Sequence, residues 1–264
     1  MKIMNQKIDH GKAFDWGQAS QDYAKYRDIY PKIFYDKLAE LSLGVKGQNV
    51  LDLGTGTGVI PRNMYRYGAK WTGADISANQ IAYARKLSSE AGMEIAYVVS
   101  PAEEIDFPKE FFDVITACQC FMYFDKDVLL PKIHKMLKPG GHFCILFMAW
   151  LPEESGIART SEEMVLKYNP SWTGGRMKRY QLNVPSWCGD LFAPANMLAF
   201  DAAVTFTRES WHGRMKACRG IGASSLGAEE IAAWEREHLA YMQTVPEVFD
   251  ILHYVTVMDL QKKG

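Results

Sequence analysis

The chain has 264 residues, 48% of them hydrophobic, and a formal net charge of −1. Lys and Arg cluster no further than the pairs Lys178-Arg179 and Lys262-Lys263, which excludes the basic footprint that a nucleic-acid backbone requires. No apolar stretch approaches the roughly 18 residues of a membrane helix, and the polar, charged N-terminal stretch does not read as a signal peptide, so a cytoplasmic protein is expected. Five scattered cysteines suit reduced, buried thiols better than a disulfide frame.

In chain order, Tyr23, Tyr26 and Tyr30 recur within residues 14–31 at intervals of three and four, which predicts one face of a cap helix. Val50-Leu51-Asp52-Leu53 is an apolar strand that runs into Gly54-Thr55-Gly56-Thr57-Gly58. Alternating glycines open backbone conformations closed to other residues and bring ligand atoms close to bare N–H groups at a helix start, so this is a turn for a nucleotide-like cofactor. The dinucleotide version wants GxGxxG, and Val59 stands where its third glycine belongs. Residues 70–75 read as a second strand ending in Asp75, at the sheet edge where a carboxylate can accept both hydroxyls of a ribose. Ser77 is the expected N-cap of a helix that carries Ile81, Ala84 and Leu87. Strands are predicted at 94–99, 111–117 and, after a turn at 137–141, at 142–149.

Residues 150–200 are long for a connector, and Trp150, Trp172 and Trp187 with a possible hinge at Gly174-Gly175 predict a lid. A sixth strand is expected at 201–207. Two helical patterns within 208–245, marked by Trp211, Met215 and Cys218 and by Ile231, Trp234 and Leu239, precede a seventh strand at 248–260. The alternation of strands and helices argues a parallel sheet within one domain spanning 1–264. Its expected parts are N-terminal cap helices (1–45), a cofactor-binding core (46–149), a lid insertion (150–200) and C-terminal strands with a helical insertion (201–264).

An acidic residue two before GxGxG, followed by these landmarks in this order, resembles the class I S-adenosylmethionine-dependent methyltransferases, and in its flanking segments the type 11 methyltransferase group. The resemblance covers nearly the whole chain and is densest over 46–149. It implies a Rossmann-like, doubly wound, mostly parallel seven-stranded α/β sheet with helical cap and lid insertions. It also implies S-adenosylmethionine as cofactor, S-adenosylhomocysteine as product and a small-molecule acceptor, with no nucleic-acid or membrane partner. Asp52, Gly54, Thr55, Gly56, Gly58, Asp75, Ile76 and Gln80 then belong to the cofactor site. Segment 100–107 corresponds to the adenine-binding part, where Pro101 stands in place of a frequent acidic residue, leaving the Ala102 N–H and Glu103 for the ring. Tyr26 and Arg27 correspond to residues near the methionine end, and Gln119 and Tyr123 lie where relatives touch cofactor and acceptor.

Methyl transfer needs alignment and exclusion of water rather than a covalent intermediate. Tyr23, Tyr123 and Trp150 are candidates to face a sulfonium by cation–π attraction. The segment ACQCFMYF (117–124) lacks the Asn/Asp-Pro-Pro-aromatic turn of methylases that act on planar exocyclic amines, which disfavours base and glutamine N-methylation. Cys118 and Cys120 make only a weak soft-metal signal. His134 and His142 read as structural. His212 in the cap is the general-base candidate, with Tyr123 as a second catalytic candidate, and Tyr168, Tyr180 and Arg214 are further polar cap groups. No cluster has metal-ligand spacing, so no metal is expected. The alternative functions are an NAD-dependent oxidoreductase and a non-catalytic S-adenosylmethionine-binding protein.

Overall fold

The computed structural model describes residues 3–264. In β1 (Asn49–Leu53), Val50, Leu51 and Leu53 are wholly buried, so the strand is covered on both faces, as a parallel sheet requires. β2 (Lys70–Asp75) pairs parallel on one side of it, Leu51 against Thr72, and β4 (Phe112–Cys118) on the other, Leu51 against Ile115. β3 (Ala96–Val99) lies parallel beyond β2 and β5 (Leu137–Trp150) parallel beyond β4. β6 (Phe192–Thr207) and β7 (Val248–Lys262) complete the order β3-β2-β1-β4-β5-β7-β6. Contacts from β5 to β7 run in opposite senses, His142 to Asp259 and Leu151 to Leu252. Those from β7 to β6 do likewise, Asp259 to Asn196 and Asp250 to Thr205, so β7 is antiparallel to both neighbours. This is the expected mostly parallel, Rossmann-like seven-stranded sheet. Its order reverses between β1 and β4, the kind of switch point where open α/β sheets bind ligands.

The helices are α1 (Ser20–Tyr26), α2 (Lys32–Glu40), α3 (Val59–Met64), α4 (Ala78–Glu90), α5 (Lys126–Met136), α6 (Gly156–Tyr168), α7 (Arg208–Lys216) and α8 (Ala228–Met242). None of the helices among the described residues is long and apolar enough to cross a membrane.

Several boundaries differ from the sequence expectation for identifiable reasons. α1 ends at Tyr26 with Arg27 as its C-cap, so Tyr30 lies beyond the helix and does not share a face with Tyr23 and Tyr26. Pro31 disfavours helical backbone in the residue before it. β5 begins at Leu137 rather than after the glycines. Phe112 faces Leu137 and Val114 faces His142, so residues 138–141 arch out as a bulge, with Gly140 at φ 72°. β6 starts nine residues earlier than expected and contains Pro194, which a strand tolerates at the sheet edge, where β6 lies.

Two compact units emerge. One comprises Lys32–Met148, Gln181–Phe200 and Val255–Gly264; the other comprises the N-terminal residues up to Pro31, Ala149–Tyr180 and Asp201–Tyr254. The expected lid of 150–200 therefore divides. Trp150 and Trp172 belong to the second unit, whereas Trp187 belongs to the first, its ring 5.2 Å from Phe121. Gly174 and Gly175 do not form an open hinge. A Cβ on Gly174 would come within 2.5 Å of Trp172 Nε1, and one on Gly175 within 3.0 Å of Glu162 Oε2.

Within the first unit, the buried Asp259 carboxylate ties three strands together. It accepts from His142 Nδ1 on β5 at 2.7 Å and from Asn196 Nδ2 on β6 at 2.7 Å. This bond holds the His142 pKa above its ordinary value. A raised folded pKa means that the stabilisation is complete below the ordinary histidine value and is lost as pH rises through the folded one. Asp259→Ala is expected to destabilise the protein by about 3 kcal/mol in urea unfolding near pH 6, the low end for a broken buried pair. The low end applies because the His142 side chain keeps 27% of its exposure. The Asp259→Ala penalty should shrink at alkaline pH.

Candidate functional site

The glycine turn leaves β1 with three alternating left-handed residues, Gly54 at φ 61°, Gly56 at φ 57° and Gly58 at φ 75°. Close packing reinforces the requirement at two of them. A Cβ on Gly54 would meet Cys120 Sγ at 2.7 Å, and one on Gly58 would meet Tyr97 Oη at 2.3 Å. Tyr97 is itself held by Ser88 at 2.9 Å. The turn is anchored by Thr55 N–H on the Ala74 carbonyl (2.9 Å) and by Gly56 N–H on Asp75 Oδ2 (2.9 Å). The second Asp75 oxygen accepts from Ser77 N–H at 2.8 Å, and Ser77 caps α4 through Gln80 N–H, as its position predicted. One carboxylate thus fastens the glycine turn to the start of the next helix. Burial pushes the Asp75 pKa up, while these two backbone bonds hold it down. Each carboxylate oxygen has further lone pairs, so the group can still accept hydroxyl protons.

Asp52 is buried behind the turn and accepts from Thr116 Oγ1 at 2.6 Å. Burial raises its pKa to about 7, against the opposing effect of the Thr116 and Thr55 hydroxyls. Its carboxyl supports the turn from within. Ile76 is half-buried and Gln80 buried at the start of the α4 segment. Ala102 and Glu103 form a single 3-10 turn, Ala102–Glu104, and Glu103 Oε1 accepts from Asp125 N–H at 2.8 Å, tying this segment to the N-cap of α5.

Gln119 follows β4 in a left-handed conformation, φ 63°. Its N–H donates to the Leu146 carbonyl and its side-chain amide nitrogen to the Met148 carbonyl, so the amide clamps the end of β4 to β5 and keeps Oε1 and its second N–H. Tyr123 lies in the 3-10 turn Phe121–Tyr123, half-buried against the apolar core. Cys120 Sγ donates to the Leu53 carbonyl at 3.1 Å, and burial keeps its thiol well above the usual range, so the Cys118/Cys120 pair presents no thiolate pair for a soft metal.

Tyr26, Arg27 and His212 all lie in the second unit. The Tyr26 ring covers Gly213 of α7, where a Cβ would approach within 2.3 Å, and its hydroxyl donates to Glu209 Oε1 at 3.0 Å. The Arg27 guanidinium stacks over the rings of Tyr23 (4.6 Å) and Trp16 (5.5 Å). Both residues therefore fasten α1 within this unit. His212 stacks on Trp234 and has its Nδ1 2.9 Å from His238 Nδ1. His238 Nε2 lies 2.9 Å from Ser161 Oγ, which also accepts from Trp211 Nε1 at 2.9 Å. Burial lowers the His212 pKa and takes His238 to about 3, so the pair is neutral at pH 7. His212 lines a cleft of about 370 Å³ with Asp22, Tyr26, Lys216 and Glu235.

Sequence reasoning left Arg214 without a role, although its spacing from Trp211 and Cys218 puts it on the apolar face of α7. It is 6% exposed, and its guanidinium lies 4.7 Å over the Trp150 ring, occupying a ring expected to face a sulfonium. His238 and Glu162 also went unread. His238 lies on a helix whose apolar pattern was legible and Glu162 on one within the expected lid, but a buried polar side chain has no signature apart from its partners.

Residues 51–145 match the methyltransferase domain family. The ubiquinone biosynthesis O-methyltransferase of Chelativorans sp. (strain BNC1) is 34% identical over 129 residues, 48% of this chain and 51% of the relative. The enzyme of the same name from Sodalis glossinidius (strain morsitans) is 30% identical over 160 residues, 60% of this chain and 64% of the relative. The chain thus spans between half and two thirds of these relatives' own length. A solved structure of a candidate type II methyltransferase from Anaeromyxobacter dehalogenans has a TM-score of 0.58 at 18% identity, covering 88% of this chain and 96% of that one, a likeness of fold. Residues 51–145 are thus similar to a methyltransferase domain.

Two outcomes follow from the turn's geometry. Gly58→Ala should cost roughly 1–3 kcal/mol from the left-handed backbone and the Tyr97 contact. Adding Tyr97→Phe should recover part of that in a double-mutant cycle, because the nearest colliding atom is the phenol oxygen. For Asp52, the ordinary value is 3.8 and the folded value about 7, so the native state holds the proton more tightly and the aspartate's contribution to stability falls as pH rises from 4 to 7. Asp52→Asn, which has no such titration, should gain roughly 4 kcal/mol relative to wild type between pH 4 and 8 and hold a constant difference above that, read by urea unfolding.

Proposed function

We propose that the protein is an S-adenosylmethionine-dependent methyltransferase acting on a small molecule. The observation that carries this reading is the Gly54–Gly58 turn fastened by Asp75 at the switch point of the sheet. The residues fit the group. Asp75 would accept the ribose hydroxyls, Ile76 would flank the adenine, the Ala102 N–H and Glu103 would face its edge, and the turn's glycine backbone would lie against the methionine end. Gln80 and Gln119 Oε1 complete this set. The cofactor supplies a methyl group on a sulfonium, ready for in-line displacement by a lone pair.

What the chain contributes is alignment and dryness, effects that reach about 7–11 kcal/mol when reacting atoms are held in line. The turn is rigid because its glycines are pinned by Cys120 and Tyr97 and its N–H groups by Ala74 and Asp75. His212 has one ring nitrogen and one ring face committed to packing α7 against α8, so we place it outside the chemistry. Tyr26 and Arg27 serve first to hold α1. The names of the curated relatives favour oxygen as the accepting atom and a small organic acceptor.

Isothermal titration with S-adenosylmethionine, S-adenosylhomocysteine and NAD tests the reading. Both adenosyl ligands should bind, NAD should not, and Asp75→Ala should weaken the adenosyl ligands at least tenfold. NAD binding without the other two would replace the proposal with an oxidoreductase.

A further inference from the structure

The second unit buries a cation without an anion. Arg214 on α7 is 6% exposed, and among the described residues its Nε and Nη1 have no hydrogen-bond acceptor. Burial lowers its pKa to about 9, and the charge of Arg27 lowers it further in the same direction. The carboxylate oriented on the same tryptophan is committed elsewhere, since Glu162 accepts from Trp150 Nε1 at 2.6 Å and from Arg176 N–H at 2.7 Å. That bond fixes the indole on which the guanidinium rests, 4.7 Å away. Tyr23, Tyr30 and Cys218 lie close enough to influence the same charge.

A second buried polar atom accompanies it. His253 on β7 bonds the Ile251 carbonyl through Nδ1 at 2.9 Å, so Nδ1 carries the proton. Its buried Nε2 is then a bare acceptor, and it has no donor. His253 stays neutral, its pKa about 4, because it is buried, and the Arg214 charge adds to the depression.

An unpaired buried charge weighs against folding by several kcal/mol, and this chain has 31 Asp and Glu residues from which a partner might have come. A guanidinium kept dry on an indole, with a second cation near it and donors unspent, is built to take a planar anion. We propose that Arg214 is the receptor for the carboxylate of a small organic acid bound within the second unit. A hydroxyl or amine on the same acid would satisfy His253 Nε2. The anion site does not rest on the methyltransferase reading.

The shared chemistry has two possible sources, the carboxylate of a free organic acid and the methionine carboxylate of the cofactor, and the test separates them. Benzoate, with neutral benzamide as control, is titrated into wild type, Arg214→Met and Arg214→Lys, each saturated with S-adenosylhomocysteine, by calorimetry and tryptophan fluorescence. The expected result is saturable binding of benzoate but not benzamide to wild type, at least tenfold weaker in Arg214→Met. S-adenosylhomocysteine affinity should stay within twofold, and Arg214→Met should unfold at the same or a higher temperature, because an unpaired buried charge is gone. Benzoate binding that is absent from wild type, or equal in wild type and Arg214→Met, overturns the proposal. A tenfold loss of S-adenosylhomocysteine affinity in Arg214→Met overturns it in favour of the cofactor's carboxylate. Should Arg214→Met not fold, Arg214→Lys decides: benzoate weakened several-fold with cofactor affinity intact supports the site, and unchanged benzoate affinity overturns it. Failure of wild type to bind S-adenosylhomocysteine would remove the methyltransferase reading alone, since benzoate titrated into the free protein still reports on Arg214.

Discussion

One carboxylate holds the cofactor turn in place. Asp75 ends β2, yet its two oxygens reach the Gly56 and Ser77 N–H groups, the first in the turn after β1 and the second at the start of α4. Two consecutive βα units are locked together at one edge of the sheet by a group that keeps lone pairs for further donors. The bond works because β1 and β2 are paired in parallel register and so deliver both turns to the same edge. Everything else about the turn is accommodation. Its glycines take left-handed backbone and are pressed on by Tyr97 and Cys120, while Asp52 sits behind them with a half-neutralised carboxyl.

The same economy of buried polar groups appears in the rest of the sheet. Asp259 joins β5, β6 and β7 through His142 and Asn196, which turns a histidine at the start of a strand into a structural clip. Gln119 uses its amide to tie β4 to β5 just where the chain leaves the sheet. These are hydrogen bonds worth about 1–3 kcal/mol each when one partner is charged or buried, and their loss leaves an orphan whose desolvation is not recovered.

The second unit departs from this rule at several side chains. Some of its buried polar groups are paired in chains, Trp211 to Ser161 to His238 to His212, and Trp150 to Glu162 to the Arg176 backbone, whereas Trp234 Nε1, His253 Nε2 and the Nε and Nη1 of Arg214 have no hydrogen-bond partner among the described residues. Among these, Arg214 is the one that carries a charge, so its desolvation is the largest cost. The long insertions thus use most of their aromatic residues for packing, including Trp172 beneath Gly220 and Trp150 beneath Arg214.

Local order was largely written in the amino-acid pattern. The apolar run into alternating glycines, the carboxylate ending the second strand, the Ser77 cap and the alternation of strands and helices all act over a few residues, so they determined the parallel sheet, the glycine turn and the place of Asp75. The length of β6 was hidden because a strand at the sheet edge can hold Pro194. The bulge in β5 was hidden because pairing with β4, not composition, sets where a strand resumes. Roles of the polar residues were decided only by tertiary structure. Tyr26, Arg27, His212 and Gln119 have the chemistry of ligand-binding groups, but each meets a protein partner, distant in the chain for Tyr26, His212 and Gln119 and local for Arg27, and a hydrogen bond or ring stack takes up part of each group. Arg214 is the converse case, a side chain whose meaning lies in the partner it lacks, which no spacing along the chain can express.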